Sequence, residues 1–361
     1  MQIKRHSYSN NIRNHKIAIL GPLPPPLGGV AVHVQRVIAK FIEQNNDVYH
    51  FETVVEYRYR YFFWYIIKLV WFLLRVRPHR VYFHTLYLRN GLQELNLLTF
   101  FKRMLNFQLT LIEHDCRHMY KQSAQYKRML NACMQSVDEL ICIGNITEQS
   151  YRDVGILFPK KYLCESAFLP PDRSRAAAIE ATYPADLEWF LANQSQTILA
   201  NAFQLSLLDG KDLYGFDLCL QALPKVHKVY PDVGLLLVLV QVGDKNYFDT
   251  LQQFVIKNNL QDRVYFLTGQ KELWPLMRKA NIFVRPTLSD GASVSVEEAL
   301  DFYKPVVASN VCIRPHMVLT FKTGNVDDFA AKTIQALTGQ CYVPPEVKRR
   351  ALYAKQAARR S

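Results

Sequence analysis

The sequence predicts an α/β protein built from two doubly wound domains in series. Three observations carry this. The chain has 361 residues, more than a single hydrophobic core comfortably serves. Short apolar strand patterns alternate with helical ones along its length. The alternation is broken once, at Pro170-Pro171 and the polar stretch after it.

The first series opens at Ile17–Leu20, a buried-strand pattern. It runs into a rigid loop, Gly21-Pro22-Leu23-Pro24-Pro25-Pro26-Leu27-Gly28-Gly29. Val30–Glu43 then places apolar residues at helical spacing (Val30, Val34, Val37, Ile38). Strand, glycine loop and helix are how a doubly wound domain begins. Val81–His84, Leu109–His114, Glu139–Ile143 and Leu163–Phe168 read as further strands, with helical stretches between them. The expected first domain is 1–170, and 171–195 is expected to be an irregular linker or insertion. The second series reads Thr197–Asn201 strand, Gly215–Val229 helix, Gly234–Val240 strand, Asp249–Asn258 helix, Val264–Leu267 strand and Glu272–Lys279 helix. Ile282–Arg285 strand, Ser295–Asp301 helix, Pro305–Ala308 strand and Val326–Leu337 helix complete a second domain over 196–340. The tail 341–361 contains a basic helical pattern, Pro345–Arg360. Ligands of open α/β sheets bind outside the carboxyl ends of the strands.

Composition narrows the classes. At 49% hydrophobic and 21% charged residues, the bulk of the chain is not disordered. Seven cysteines with no CxxC pair argue against a disulfide scaffold and a structural zinc site, and fit reduced thiols in a cytosol. The net charge is +13, and residues 1–165 contribute 22 Lys/Arg against 12 Asp/Glu. A basic front half implies an anionic partner: nucleic acid, a phospholipid surface or a phosphorylated substrate. No nucleic-acid motif accompanies it, so nucleic acid is not expected. No apolar run follows Lys4, Arg5 and His6, so a secretory leader is not expected. Tyr57–His84 holds an apolar centre, Tyr61–Leu74, interrupted by Lys68. It is too short to span a bilayer. Its aromatics and flanking arginines fit a core helix with one edge facing an anionic membrane.

The segment richest in chemistry is Phe283–Leu300 (FVRPTLSDGASVSVEEAL). A strand ends at Arg285, a polar loop carries Asp290-Gly291, and Ser293 and Ser295 stand where they can cap the next helix. A helix N-terminus behind a small-residue loop suits an anion. A helix cap with a solvated first-turn acid explains the same residues equally well.

This segment resembles the E-x7-E region of retaining GT-B glycosyltransferases of the group 1 (family 4-like) type, which serve bacterial polysaccharide and lipid-linked glycan synthesis. The resemblance implies two Rossmann-like domains facing a cleft. Asp290 takes the first acidic position, near the transferred sugar. Glu298 takes the second, on the ribose hydroxyls. Gly291, Ala292, Ser293 and Val294 inherit a backbone role beneath sugar and diphosphate, and Arg285 stands where a cation faces phosphate. Gly28 and Gly29 resemble the family's N-terminal glycine loop. His114 matches a strand-end His that touches the donor sugar, and Gly269 matches the turn against the nucleobase. By the same resemblance, Leu163–Pro171 fits the crossing linker, and the Pro345–Arg360 helix would return to the first domain.

The resemblance implies a retaining hexosyltransferase, independent of metal and of any cofactor beyond its nucleotide-sugar co-substrate, a UDP- or GDP-sugar. The departing phosphate would take the acceptor proton, so no protein base is named. The acceptor would be a lipid-linked glycan. The protein would then work in the cytoplasm, peripheral on the inner face of the membrane, in O-antigen or capsule assembly. The chain departs from the family at two places. Gln204 and Tyr214 stand where it carries Arg and Lys, leaving Lys211 or Arg285 to substitute. The first acid is Asp rather than Glu. These departures favour an alternative, a GT-B protein that binds nucleotide sugar or glycan as a partner or scaffold without turnover. An epimerase on this fold would need paired acid and base residues that the sequence does not display.

Overall fold

The computed structural model describes residues 14–53, 59–86, 90–114, 119–290 and 293–339. The chain divides into two compact units, Met1–Leu169 and Pro170–Ser361.

The first unit is a six-stranded parallel sheet. In chain order it runs β1 (Lys16–Leu20), α1 (Gly29–Glu43), β2 (Asp47–Phe51), α2 (Tyr59–Val76), β3 (Arg80–Phe83) and α3 (Gly91–Leu105). β4 (Gln108–Glu113), α4 (Ala124–Met134), β5 (Glu139–Ile143), α5 (Asn145–Asp153) and β6 (Lys161–Glu165) complete it. The strand order is β2-β1-β3-β4-β5-β6. Ile17, Ala18, Ile19 and Leu20 of β1 are all fully buried, because both faces of a parallel sheet are covered. α1 buries Ala31, Val34, Val37 and Phe41, one stripe of its surface. Gly21 lets the turn after β1 lie close: a Cβ there would come within 2.8 Å of Val34 and 3.2 Å of the His84 Cβ.

α2 has two apolar faces. Tyr65, Leu69, Leu73 and Val76 are buried in the core. Phe63, Trp64, Ile67, Trp71 and Leu74 are exposed, with Trp64 61% and Trp71 63% accessible. Lys68, Arg75 and Arg77 are exposed beside them, and the Arg75 guanidinium lies 5.5 Å from the Trp71 ring centroid. No helix among the described residues is long and apolar enough to cross a membrane.

The second unit begins with α6 (Ala176–Glu180) and α7 (Ala185–Ala192). These correct the irregular linker expected over 171–195. Ala176, Ile179, Tyr183, Leu187 and Phe190 are buried in this unit's core, so the segment is part of the domain. The sheet is β7 (Gln196–Ala202), β10 (Val233–Leu239), β11 (Val264–Thr268), β12 (Ile282–Arg285), β13 (Val306–Ser309) and β14 (Leu319–Phe321). Its order is β11-β10-β7-β12-β13-β14, all parallel. A two-residue-per-strand hairpin, β8 (Leu207–Leu208) and β9 (Lys211–Asp212), follows β7. The helices are α8 (Phe216–His227), α9 (Lys245–Lys257), α10 (Trp274–Lys279), α11 (Val294–Asp301) and α12 (Val326–Leu337). One core lies under α8, α9 and α12, and a second under α6, α7, α10 and α11, on opposite faces of the sheet.

The expected strands and helices lie within a few residues of their observed positions. β2, β14 and the β8–β9 hairpin were not foreseen, and β6 lies earlier than the expected Leu163–Phe168. The Pro345–Arg360 tail lies outside the described residues. Each sheet has one point where successive connections leave in opposite directions, between β1 and β3 in the first unit and between β7 and β12 in the second. Open α/β sheets place ligands at such points.

Candidate active site

In the second unit, the β7/β12 switch point holds a knot of charge. Arg285, the last residue of β12, donates from Nη1 to the Asn201 carbonyl of β7 (3.0 Å). It also donates from Nε and Nη2 to the two carboxylate oxygens of Asp290, at 3.2 and 3.4 Å. Arg314, in the connection from β13 to β14, donates from Nη1 to Asp290 Oδ2 (2.8 Å) and from Nε to the Ser309 carbonyl (3.1 Å). The Ser309 hydroxyl in turn donates to the Thr287 carbonyl (2.6 Å). The side chains of Asp290 and Arg314 are only 8% and 3% accessible. Burial pushes the Asp290 carboxyl up, but the guanidiniums of Arg285 and then Arg314 outweigh it and hold it below its ordinary value. Asp290 is therefore a carboxylate at neutral pH, suited to orienting cations and accepting hydrogen bonds rather than to giving up a proton. The Thr287 hydroxyl and the Asn201 side-chain oxygen are buried at this edge without a hydrogen-bond partner.

The α11 start differs in detail from the expected cap. Ser293 sits at the N-cap, but its side chain makes no capping bond. Its hydroxyl lies 3.3 Å from that of Ser295. Val294 is the first residue of the helix. Glu298 is buried on the inner face of α11 with Val296, Ala299 and Leu300. Gly291 and Ala292 lie outside the described residues.

The loop after β7 is organised from within. Asp212, 2% exposed, accepts from the backbone N–H groups of Tyr214, Gly215, Phe216 and Asp217, at 2.8 to 3.4 Å. It thereby caps α8. Gly215 adopts φ +73°, and a Cβ there would strike the Pro286 carbonyl at 2.4 Å, so α8 begins pressed against the segment that follows β12. Burial raises the Asp212 carboxyl despite the four N–H bonds. Burial and the Asp212 charge push Asp217 to about 6. Of the two positions where the resemblance expects cations, Gln204 accepts from the Gln241 amide (2.6 Å). Tyr214 lies beneath the Arg285 guanidinium, 5.2 Å from its ring centroid. Arg285 thus brings a cation, from the neighbouring strand, to the place where the loop has none. Lys211 is exposed on the hairpin, apart from this cluster of bonds. Gly269 follows β11 with φ +103°, its N–H on the Leu239 carbonyl.

In the first unit, Gly28 is the N-cap of α1 and Gly29 its first residue, with no side chain capping the helix. His114 follows β4 directly, and its Nε2 lies 3.1 Å from Nδ1 of His84, the residue after β3. His33, in the second turn of α1, completes a trio with rings 5.0 to 5.7 Å apart. The sequence reading found His114 but neither of its ring partners as site residues. It also missed Arg314, which only the fold brings to Asp290.

The family "Glycosyl transferases group 1" matches residues 209–359. The O-antigen biosynthesis glycosyltransferase WclY of Escherichia coli is 31% identical over 115 residues, which is 31% of this chain and 30% of that protein. The GDP-mannose-dependent alpha-(1-6)-phosphatidylinositol monomannoside mannosyltransferase of Mycolicibacterium smegmatis is 32% identical over 123 residues, 32% of this chain and 31% of that one. The chain thus spans under a third of the length of these curated relatives. Similar folds cover far more. A glycosyltransferase of Rickettsia africae has TM-score 0.70 at 12% identity, covering 96% of this chain and 98% of that one. HepE of Anabaena, in complex with UDP and glucose, has TM-score 0.62 at 14% identity, covering 96% and 99%.

Proposed function

We propose that the chain, which has a GT-B fold, is a glycosyltransferase of the group 1 type that moves a hexose from a nucleotide sugar to a hydroxyl of a lipid-linked glycan, with retention; the group 1 match over residues 209–359 and the fold support this reading. The observation that carries this reading is the Asp290–Arg285–Arg314 knot at the β7/β12 switch point. Two guanidiniums facing one carboxylate leave an excess of positive charge where a leaving diphosphate develops negative charge. Arg285 and Arg314 would serve in place of the cations absent at Gln204 and Tyr214. The diphosphate would approach the start of α11 at Ser293 and Val294, with Gly291 and Ala292 before them. Glu298 would hold the ribose, and Asp290 and His114 would contact the sugar. Gly28, Gly29, Gly269 and Lys211 would complete the donor contacts. The departing phosphate would take the acceptor proton, and neither a metal nor another cofactor enters this scheme. A UDP- or GDP-sugar is the donor class, in keeping with the UDP bound by HepE and the GDP-mannose of the Mycolicibacterium relative.

The exposed Phe63, Trp64, Ile67, Trp71 and Leu74 of α2, with Lys68, Arg75 and Arg77 beside them, would rest on an anionic leaflet. On this reading the protein would work at the cytoplasmic face of a bacterial membrane, in surface polysaccharide synthesis such as O-antigen or capsule. Co-sedimentation with vesicles containing phosphatidylglycerol, absent with pure phosphatidylcholine and lost in Trp64→Ser/Trp71→Ser, is the expected result. Equal binding of that variant would remove α2 from the reading.

The missing loop cations favour a second reading, a protein that binds nucleotide sugar without turning it over. Thermal shift and mass-spectrometric release of sugar from UDP-, GDP-, TDP- and ADP-sugars separate the two. Stabilisation by one nucleotide with transfer to a lipid-linked glycan, lost in Asp290→Ala, supports the enzyme. Stabilisation with no transfer to any acceptor supports the binder, and transfer unchanged in Asp290→Ala refutes the site.

A further inference from the structure

The three histidines of the first unit are brought together by topology alone. β3 and β4 are neighbours, so the residues that follow them, His84 and His114, stand side by side. β1 flanks β3 on its other side and feeds α1, which carries His33. All three therefore meet beside the β1/β3 switch point. One ring nitrogen from each lies within 4.8 Å of those of the other two.

From this arrangement we infer that His33, His84 and His114 bind a divalent transition-metal ion of the zinc class through three imidazole nitrogens, leaving a fourth position open.

Spacing, orientation and donor chemistry support the site. Tetrahedral zinc with bonds of about 2.0–2.1 Å sets its nitrogen ligands about 3.3 Å apart, and His84 Nδ1 and His114 Nε2 are 3.1 Å apart. His33 Nδ1 lies 2.7 Å from the Ala167 carbonyl. A carbonyl only accepts, so Nδ1 carries the proton and the lone pair is on Nε2. A ring nitrogen fixed on a backbone carbonyl is how metal-bound histidines are oriented. His84 is fully buried and its Nε2 has no hydrogen-bond partner, so the ring is held in the cluster without a bond that would turn it away. Among the described residues the donor set is three imidazoles, which suits Zn²⁺, Co²⁺, Ni²⁺ or Cu²⁺ rather than Mg²⁺ or Ca²⁺. The open position would hold water or an anionic oxygen at the carboxyl edge of the sheet. The site shares His114 with the proposed sugar contact, so a bound ion would compete with donor and take no part in transfer. The binding itself does not depend on the glycosyltransferase reading, and either can fail without the other.

The experiment titrates the untagged, reduced, chelator-dialysed full chain with Zn²⁺ alone and with Co²⁺ alone. One equivalent should bind. The Co²⁺ form should show the intense visible bands of four-coordinate cobalt without the near-ultraviolet thiolate band. His33→Ala and His114→Ala should each weaken binding at least about tenfold, with thermal unfolding confirming that the metal-free variants are folded. His316→Ala, at an exposed histidine, should bind as the parent does. No stoichiometric binding, a thiolate band, or unchanged affinity in a folded His33 or His114 variant would overturn the site. Should one variant not fold, the other and the parent cobalt spectrum still decide.

Discussion

Asp290 shows what a motif conveys and what it conceals. Its spacing to Glu298, and Arg285 at the strand end, were legible because the three lie within 14 consecutive residues of one strand–loop–helix unit. Arg314 was not, because it follows β13 and reaches Asp290 only through the pairing of β12 with β13. His84 escaped notice for the same reason: nothing local says that the ends of β3 and β4 are neighbours. The buried knot has consequences for stability. Asp290→Ala strands two guanidiniums and should cost about 3–5 kcal/mol, read by urea unfolding at pH 7. The folded carboxyl titrates below its unfolded value, so its stabilisation is complete above about pH 4 and is lost as pH falls through the depressed folded value. The acid limb of the stability profile should therefore flatten in Asp290→Asn. An unchanged limb would show that the pair contributes nothing there.

Among the strands, β1, β5 and β10 were legible because burial on both sides gives each an unbroken apolar run. β2 (DVYHF) is a half-exposed edge strand with a charge and a histidine, so it lacks an apolar run. β14 and the hairpin are only two or three residues per strand. The helical character of 171–195 was in fact present, as Tyr183, Leu187 and Phe190 at spacings of four and three, but the polar residues between them obscured it. The start of α8 carries its own prediction. Loss of the four backbone bonds in Asp212→Ala should cost about 2 kcal/mol, measurable as a lowered Tm, with Asp212→Asn milder. Asp217 titrates near 6 in the folded chain, above its unfolded value. The native state thus binds the extra proton, and stability should fall as pH rises from about 4 to 6 and then level. Asp217→Asn should reduce that slope, leaving the part due to Asp212, whose carboxyl burial also raises.

For the whole molecule, composition and alternation were enough to foresee two doubly wound sheets, because a chain of this length must divide its core. The second unit has a core on each face of its sheet, drawn from its own residues. A chain of residues 170–361 should therefore unfold cooperatively by itself, and the preferred nucleotide should raise its midpoint. A non-cooperative transition would show that this unit depends on the first. The exposure of α2 also has an optical consequence. Of four tryptophans, Trp274 is 2% accessible, while Trp64, Trp71 and Trp189 are each above 60%. Iodide should accordingly quench most of the indole emission in solution. In the proposed docking on an anionic vesicle the Trp64 and Trp71 share should turn blue and escape the quencher, while buried Trp274 stays bright, which would make these indoles a gauge of lipid contact.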